Sequence, residues 1–429
     1  MTLKPVRTRK FFYIILALVA YALVEVASYG VYFGVRQKAF SFTEIFRERQ
    51  AIVSAIKSVH MKEFGAMAVG DPPGSIYEVL HPYLGYVQDP TRTRGYSEYG
   101  FPDADVRPYK KDPKRVIIGI FGGSFADGLA RTTKDVFIAA LQKSPRFADK
   151  EIKILTVAMG GYKEPQQMLA LAYLVSMGFH FDVVVNLDGF NDIALPVAEN
   201  IPKGVSPFYP RNWFGRMNSF DSTMLALARE HADWTGNRRS WATLFSSIPL
   251  RYSVTANILW LAVDRKLGDT ILGVNYVAQQ YHPAENAASY MVRGPGFSYA
   301  NEADTYDDLA RMWMRSSMLM NTLATANGMT YLHFLQPNQY VVGAKEMGPS
   351  ERKAAYDQGH PYRNSVLLGY PKLQDRGRAL KQKGVPFFDL TTSLVGHKEP
   401  LYVDTCCHLS QAGYAIVALE IAAAIVKQY

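Results

Sequence analysis

Apolar residues hold the chain from Phe11 to Val35, and Glu25 is the one charged interruption. That length suffices for a bilayer, which takes about 20 apolar residues. Lys4, Arg7, Arg9 and Lys10 precede the run, and basic flanks stay in the cytoplasm. The pattern predicts a cytoplasmic N-terminus over 1–10 and an uncleaved signal-anchor over 11–35. The rest of the chain is then expected outside, on the periplasmic side in a Gram-negative cell. A cleaved signal peptide would have a shorter apolar core ending at a small-residue site. Ser28-Tyr29-Gly30 is a weak site of that kind, and apolar residues continue past it. An acid within a membrane-spanning run points by default to function. For Glu25 the plainer reading is a protonated or water-reaching carboxyl on a lone anchor helix.

Ser41-Phe42-Thr43-Glu44 is a capping-box pattern. Ile45, Ile52, Ile56 and Val59 follow at the spacing of one helix face. This helix is expected to act as a stalk or to pack on the outer domain. Residues 70–112, rich in Pro, Gly, Tyr and Asp, read as irregular chain within a lead-in over 36–115. From residue 116 short apolar runs alternate with helical patterns, which implies βαβ units and a parallel sheet. Strands are predicted at Val116–Phe121, Ile152–Ala158, Val183–Leu187, Met329–Leu335 and Val385–Leu390. Helices are predicted at Thr133–Gln142, Pro165–Ser176, Thr305–Ala326, Gln374–Lys383 and Gln411–Lys427. The alternation breaks at about 196–303, an insertion rich in Trp, Tyr, Phe and Arg. It follows a strand's carboxyl end, where a cap over a substrate would sit. Its run Thr255–Val263 is too short to span a membrane. That run reads first as a helix packing the insertion, with a surface dipping into lipid as the alternative.

Composition narrows the function. Lys and Arg exceed Asp and Glu by 47 to 38, a net charge of +9. The basic residues are scattered and form no tract interleaved with stacking aromatics, which argues against nucleic-acid binding. Such a surface suits anionic lipid or an acidic polymer. The two cysteines, Cys406 and Cys407, form no disulfide framework and are too few for a metal site. Adjacent cysteines bridge only through a strained ring. Two small packed residues beside a site is the preferred reading, and a vicinal disulfide is the other.

Four segments carry chemistry: Gly122-Gly123-Ser124, Met159-Gly160-Gly161-Tyr162, Gly189-Phe190-Asn191-Asp192 and Asp404-Thr405-Cys406-Cys407-His408-Leu409. Three follow predicted strand ends, where open α/β sheets bind ligands. Acyl transfer through serine needs a base, a carboxylate to orient the base, and donors for the oxyanion. Ser124 is the candidate nucleophile, His408 the base and Asp404 the orienting acid. The N–H of Ser124, the N–H of Gly161 and the side-chain amide of Asn191 are candidate oxyanion donors. Asp127 reads as a surface or helix-start charge, Asp192 as a brace for the Asn191 loop, and His333 as a satisfied core histidine. Gln336-Pro337-Asn338-Gln339 reads as a plain turn at the site edge.

In these four blocks the chain resembles the SGNH, or GDSL-type, hydrolase family, whose Ser, Gly, Asn and His look like Ser124, Gly161, Asn191 and His408. The resemblance covers about 116–195 and 329–429. It implies an α/β fold of flavodoxin-like α/β/α type with a five-stranded parallel sheet of order 2-1-3-4-5. It also implies ester or acyl hydrolysis without metal or other cofactor. The family domain then spans 116–429 with the insertion at about 196–303. Three departures stand out. Gly123 replaces the family's Asp, Gly160 replaces the usual Asn before Gly161, and three residues rather than two separate Asp404 from His408. A Ser124–His408 dyad, with a backbone carbonyl holding the imidazole, stays open.

The expected activity is that of a membrane-anchored, extracytoplasmic serine esterase removing an acyl group, such as acetyl, from an envelope glycan or lipid. An O-acyltransferase using the same residues is the close alternative. A non-catalytic envelope binding or assembly protein on the same fold is the other. A phosphate loop at Gly122–Gly128 lacks the Lys-Ser/Thr and the G-x-G-x-x-G spacing. An α/β-hydrolase would place its serine mid-sheet in a G-x-S-x-G elbow.

Overall fold

The computed structural model describes residues 6–55, 59–61, 66–69, 78–217, 222–281 and 290–429. Along the chain come helices α1 (Val6–Arg36) and α2 (Phe42–Ala55), then strand β1 (Arg115–Gly122) and α3 (Ser124–Gln142). Next are β2 (Glu151–Ala158), α4 (Gln166–Ser176), β3 (Val183–Asp188) and α5 (Phe190–Leu195). The insertion holds α6 (Ser222–Phe245) and α7 (Val254–Gln280). The chain closes with α8 (Glu302–Ala326), β4 (Thr330–Leu335), α9 (Pro361–Gln382), β5 (Phe387–Asp389) and α10 (Gln411–Gln428). It divides into two compact units. One takes Met1–Gly74 and Asn218–His282, the other Ser75–Met217 and Pro283–Tyr429.

The second unit is an α/β fold around five strands in the order β2-β1-β3-β4-β5, all pairs parallel. The strand register follows from apolar residues on both faces, as expected for a sheet covered on both sides. Ile117 and Phe121 of β1 feed a core with Leu171 of α4, Trp313 of α8 and Leu373 of α9. Their neighbours Ile118 and Ile120 feed the opposite core, with Phe125 and Leu129 of α3 and Val417 and Ile421 of α10. This unit also takes 196–217 and 290–303 of the predicted insertion.

Strand ends fall within two residues of the expected ones. Two helices do not. The pattern predicts α3 from Thr133, yet it begins at Ser124, because Gly128, crowded against Tyr414, is tolerated inside the helix. The pattern predicts α9 from Gln374, yet it begins at Pro361 and carries Pro371 inside. Proline is preorganised for a first helical turn. The lead-in is more ordered than expected. Glu78–His81 pairs antiparallel with Gly85–Gln88, and Tyr86 donates to Gly160 O at 2.7 Å.

The first unit contains α1, α2, α6 and α7. Within it, α1 is the one helix among the described residues long and apolar enough to cross a membrane, over Phe11–Arg36. Half of the expected capping box is present: Glu44 N donates to Ser41 Oγ at 3.3 Å, while the Glu44 carboxylate pairs with Lys38. Tyr32, Ile45, Phe245 and Trp260 form a small core, so Thr255–Val263 is indeed part of a packed helix. Glu25 is not a lone carboxyl. It accepts from Ser253 Oγ at 2.6 Å and from Val254 N at 2.5 Å, at the start of α7.

One buried ion pair shapes the chain's last loop. Lys345 Nζ meets Glu351 Oε2 at 2.6 Å with both side chains fully buried. The other oxygen, Oε1, accepts from Leu401 N and Tyr402 N, each at 2.8 Å. Tyr402 bridges Leu409, and Val403 N donates to His408 O at 3.0 Å. Residues 401–410 are thereby held as a closed hairpin. Removing one partner of a buried pair strands the other charge. Glu351→Ala is therefore expected to cost about 3–5 kcal/mol, read as a lower urea midpoint. Glu351→Gln, which keeps an acceptor for the two N–H groups, should lose less.

Candidate active site

Ser124 is the first residue of α3, and Gly123 is its N-cap. The first N–H groups of a helix have no partner within it, so the Ser124 N–H sits at the positive end of the helix dipole beside its own hydroxyl. Gly123 is small for a local reason. A Cβ there would lie 2.2 Å from Asn191 Nδ2 and 3.2 Å from Tyr162 O. An Asp at this position would collide with the third block. Asn191 Nδ2 donates to Tyr162 O at 2.8 Å, so the first three blocks meet around Gly123. Gly161 has φ +80, and a Cβ on it would run into Arg211 Cδ at 1.8 Å. The residue is thus fixed both by conformation and by the side chain laid across it.

The hairpin of 401–410 brings the fourth block to the first. His408 Nε2 lies 2.8 Å from Ser124 Oγ, and His408 Nδ1 lies 2.5 Å from Asp404 Oδ2. The extra residue between Asp404 and His408 does not part them. Asp404 Oδ1 accepts from the N–H groups of Cys406 at 2.9 Å, Cys407 at 3.0 Å and His408 at 3.2 Å. The longer loop wraps one carboxylate oxygen and leaves the second for the imidazole. Burial opposes charge on Asp404, but the contacts to His408 and these N–H groups outweigh it and hold the carboxyl down to about 2. The same hydrogen bond raises His408 above its usual value, against the opposing effect of burial.

The turn expected to be plain is a clamp on this loop. Asn338 Nδ2 donates to Cys406 O at 3.0 Å, and Gln339 Nε2 donates to Asp404 O at 2.9 Å. Tyr340 Oη adds a bond to Thr405 O at 3.0 Å. Asp127 pairs with Arg131 through two bonds of 2.8 Å. Asp192 accepts from Gly189 N at 3.1 Å and Glu164 N at 2.7 Å, joining the second and third blocks. His333 is fully buried, with Nε2 at 2.9 Å from Asp188 Oδ1 and Nδ1 at 2.7 Å from Ser317 Oγ. Cys406 and Cys407 are free thiols with sulfurs 3.2 Å apart. Hydrogen bonding from Cys407 lowers Cys406, while burial raises Cys407. With His408 they put three ligand-type atoms within 4.8 Å of one another, although both His408 nitrogens already face Asp404 and Ser124.

Sequence reasoning missed two features beside these blocks. Arg211, laid over Gly161, is held by Glu199 through bonds of 3.2 and 2.5 Å. Glu164 is buried beneath the second block. It accepts from Asn186 Nδ2 at 3.2 Å, and burial followed by Asp188 and Asp192 pushes its carboxyl well up. The adjacent Gly161-Tyr162-Lys163-Glu164 run was the one available signal. A separate cleft of about 630 Å³ has aromatic walls that include Tyr83, Tyr209, Trp213 and Phe297. None of the four candidate blocks lines it.

No protein-family profile and no curated protein matches the chain. Among solved structures, a lipase/acylhydrolase from Enterococcus faecalis is similar at 10% identity and a TM-score of 0.31. That likeness covers 73% of this chain and 96% of the other. A second crystal structure is similar at 12% identity and a TM-score of 0.32, over 74% of this chain and 99% of its own. Likenesses this distant add nothing to what the strand order and the site geometry establish.

Proposed function

We propose that the chain is a membrane-anchored serine esterase of SGNH type, acting on an O-acyl group of an envelope glycan or lipid. The observation that carries this reading is the continuous relay Asp404–His408–Ser124, with links of 2.5 and 2.8 Å. Ser124 Oγ attacks the acyl carbon while His408 Nε2 takes the hydroxyl proton. Asp404 holds the imidazole with Nδ1 protonated and stabilises its positive charge. The oxyanion forms against the N–H of Ser124, the N–H of Gly161 and the Asn191 amide. Collapse of this intermediate breaks the ester C–O bond, and the leaving alkoxide takes the proton from His408. Water then attacks the acyl-enzyme as His408 accepts its proton; collapse breaks the Ser124 Oγ–acyl bond, Oγ takes that proton back from His408, and the free acid leaves. A glycan hydroxyl in place of water at this step would make the same residues an acyltransferase. In this reading α1 is the membrane anchor, its basic N-terminal end is cytoplasmic, and the second unit is outside.

The test is turnover of p-nitrophenyl acetate and longer esters by the full chain in detergent, with covalent labelling by a fluorophosphonate. Clear turnover and a label on Ser124 support the enzyme. Absence of both overturns it. The pH profile gives a further expectation. His408 accepts a proton only when neutral, and its partner Asp404 raises its pKa. The rate constant kcat/KM should therefore rise with pH through a midpoint above about 6.5, the value of a free imidazole. Asp404, held to about 2, adds no second limb near neutrality. A flat profile between pH 5 and 8, values set by the imidazole range, would count against His408 as the base.

A further inference from the structure

The α6–α7 hairpin solves a problem posed by Glu25. A carboxyl inside an apolar span needs partners, and this one finds them at the start of α7, in Ser253 Oγ and Val254 N. One turn further along α1, Ser28 Oγ lies 2.8 Å from Thr255 Oγ1. Beyond that, Tyr32 shares a core with Trp260. The two helices therefore run in the same sense, and the start of α7 is level with Glu25. Glu25 lies 11 residues before the end of α1 at Arg36, roughly 16 Å at 1.5 Å per residue. A bilayer core begun at Phe11 needs about 20 residues, which reaches Gly30. Glu25 then falls in the outer part of the span, and the hairpin turn falls there with it.

The turn itself suits that position. From Ser240 to Val263, Arg251 is the one charged residue. Ile248 is 76% exposed and Tyr252 58%, with Leu244 and Leu259 exposed beside them. A turn in contact with lipid must satisfy its own backbone, and this one satisfies most of it. Ser246 N, Ser247 N, Arg251 N, Tyr252 N and Ser253 N donate to carbonyls within the turn. Val254 N is taken by Glu25, and Ala256 N by Ser253 Oγ. The hydroxyls of Ser246 and Ser247 bond back to Ala242 O and Leu244 O. Asn257 Nδ2 covers Arg251 O and Ser253 O. On the α2 side, Arg47 and Glu48 are exposed and Arg251 lies over Phe46, charges suited to the headgroup level of a bilayer.

We infer that the α6–α7 turn is seated in the outer interfacial layer of the bilayer, beside α1, as a second attachment to lipid. The inference rests on the reading of α1 as a membrane anchor. Apolar and aromatic residues with a basic neighbour are what an interfacial element needs. The seat fixes the first unit against the membrane face rather than leaving it on a single swivel.

The experiment uses the full chain in vesicles of phosphatidylcholine and phosphatidylglycerol, with Cys406→Ser and Cys407→Ser removing the native thiols. Single cysteines replace Ile248, Tyr252 or the control Leu272, which is 66% exposed and about 27 Å further along α7. Flotation of the vesicles is scored first, then the rate of labelling by a charged maleimide and quenching of a bimane label by nitroxide lipid. The inference expects flotation, labelling of Ile248→Cys and Tyr252→Cys about tenfold slower than Leu272→Cys, and quenching at the first two sites. Flotation with equal labelling at all three sites overturns the inference and leaves the anchor standing. Failure to float overturns the anchor reading and the inference with it.

Discussion

Ser124→Ala is expected to lower ester turnover by about four to six orders of magnitude and to abolish fluorophosphonate labelling. The expectation follows from where the hydroxyl stands. It lies 2.8 Å from His408 Nε2, at the first residue of α3. Alanine keeps the helix start, since the N-cap is Gly123 and the Ser124 hydroxyl is engaged with His408. Folding should thus be intact, and circular dichroism and the urea midpoint should match the parent. The residual rate would report the oxyanion donors and substrate positioning acting without a nucleophile. Equal turnover in the parent and in Ser124→Ala would remove the serine from the chemistry.

Asp404→Asn should cost about four orders of magnitude in kcat, with little loss of stability. The two oxygens of Asp404 do different jobs, so the substitution separates them. An asparagine can present its carbonyl to the N–H groups of Cys406, Cys407 and His408 and keep the hairpin wrapped. Its amide then faces His408 Nδ1 as a donor. The imidazole is forced to carry its proton on Nε2, where it cannot take one from Ser124. The midpoint of any residual pH profile should also fall, because the carboxylate that raises His408 is gone. Asp404→Ala removes the wrapping as well, and should add a loss of stability to the loss of rate. If Asp404→Asn kept full activity, a dyad held by a backbone carbonyl would be the better description.

The sheet was legible because its strands are buried on both faces. Val116–Phe121 is apolar throughout and Val183–Leu187 is broken only by Asn186, and short length with β-branched residues marks such runs as strands rather than buried helices. Helix starts were harder. Gly128 reads as a breaker, yet it is needed small against Tyr414. Pro361 and Pro371 read as stops, yet one begins α9 and the other lies inside it. The four blocks could be picked out because each is local. Their supports could not. Glu351 serves residues 50 positions away, and Tyr86 reaches across 74. Arg211 lies over Gly161 with nothing in either segment to announce it. Glu25 shows the same limit from the other side. The sequence marks it as out of place, but the partner that explains it is 228 residues on.

The relay joins residues 284 positions apart, and this has a consequence for biosynthesis. At about 5–20 residues per second, His408 is made roughly 15 to 60 s after Ser124. Throughout that interval β1 and α3 can form, but the serine has no base. The hairpin that delivers His408 closes on Glu351, and α10 must still follow to cover α3. In the proposed enzyme, a nascent chain emerging N-terminus first is therefore expected to be inert toward esters until His408 has been made.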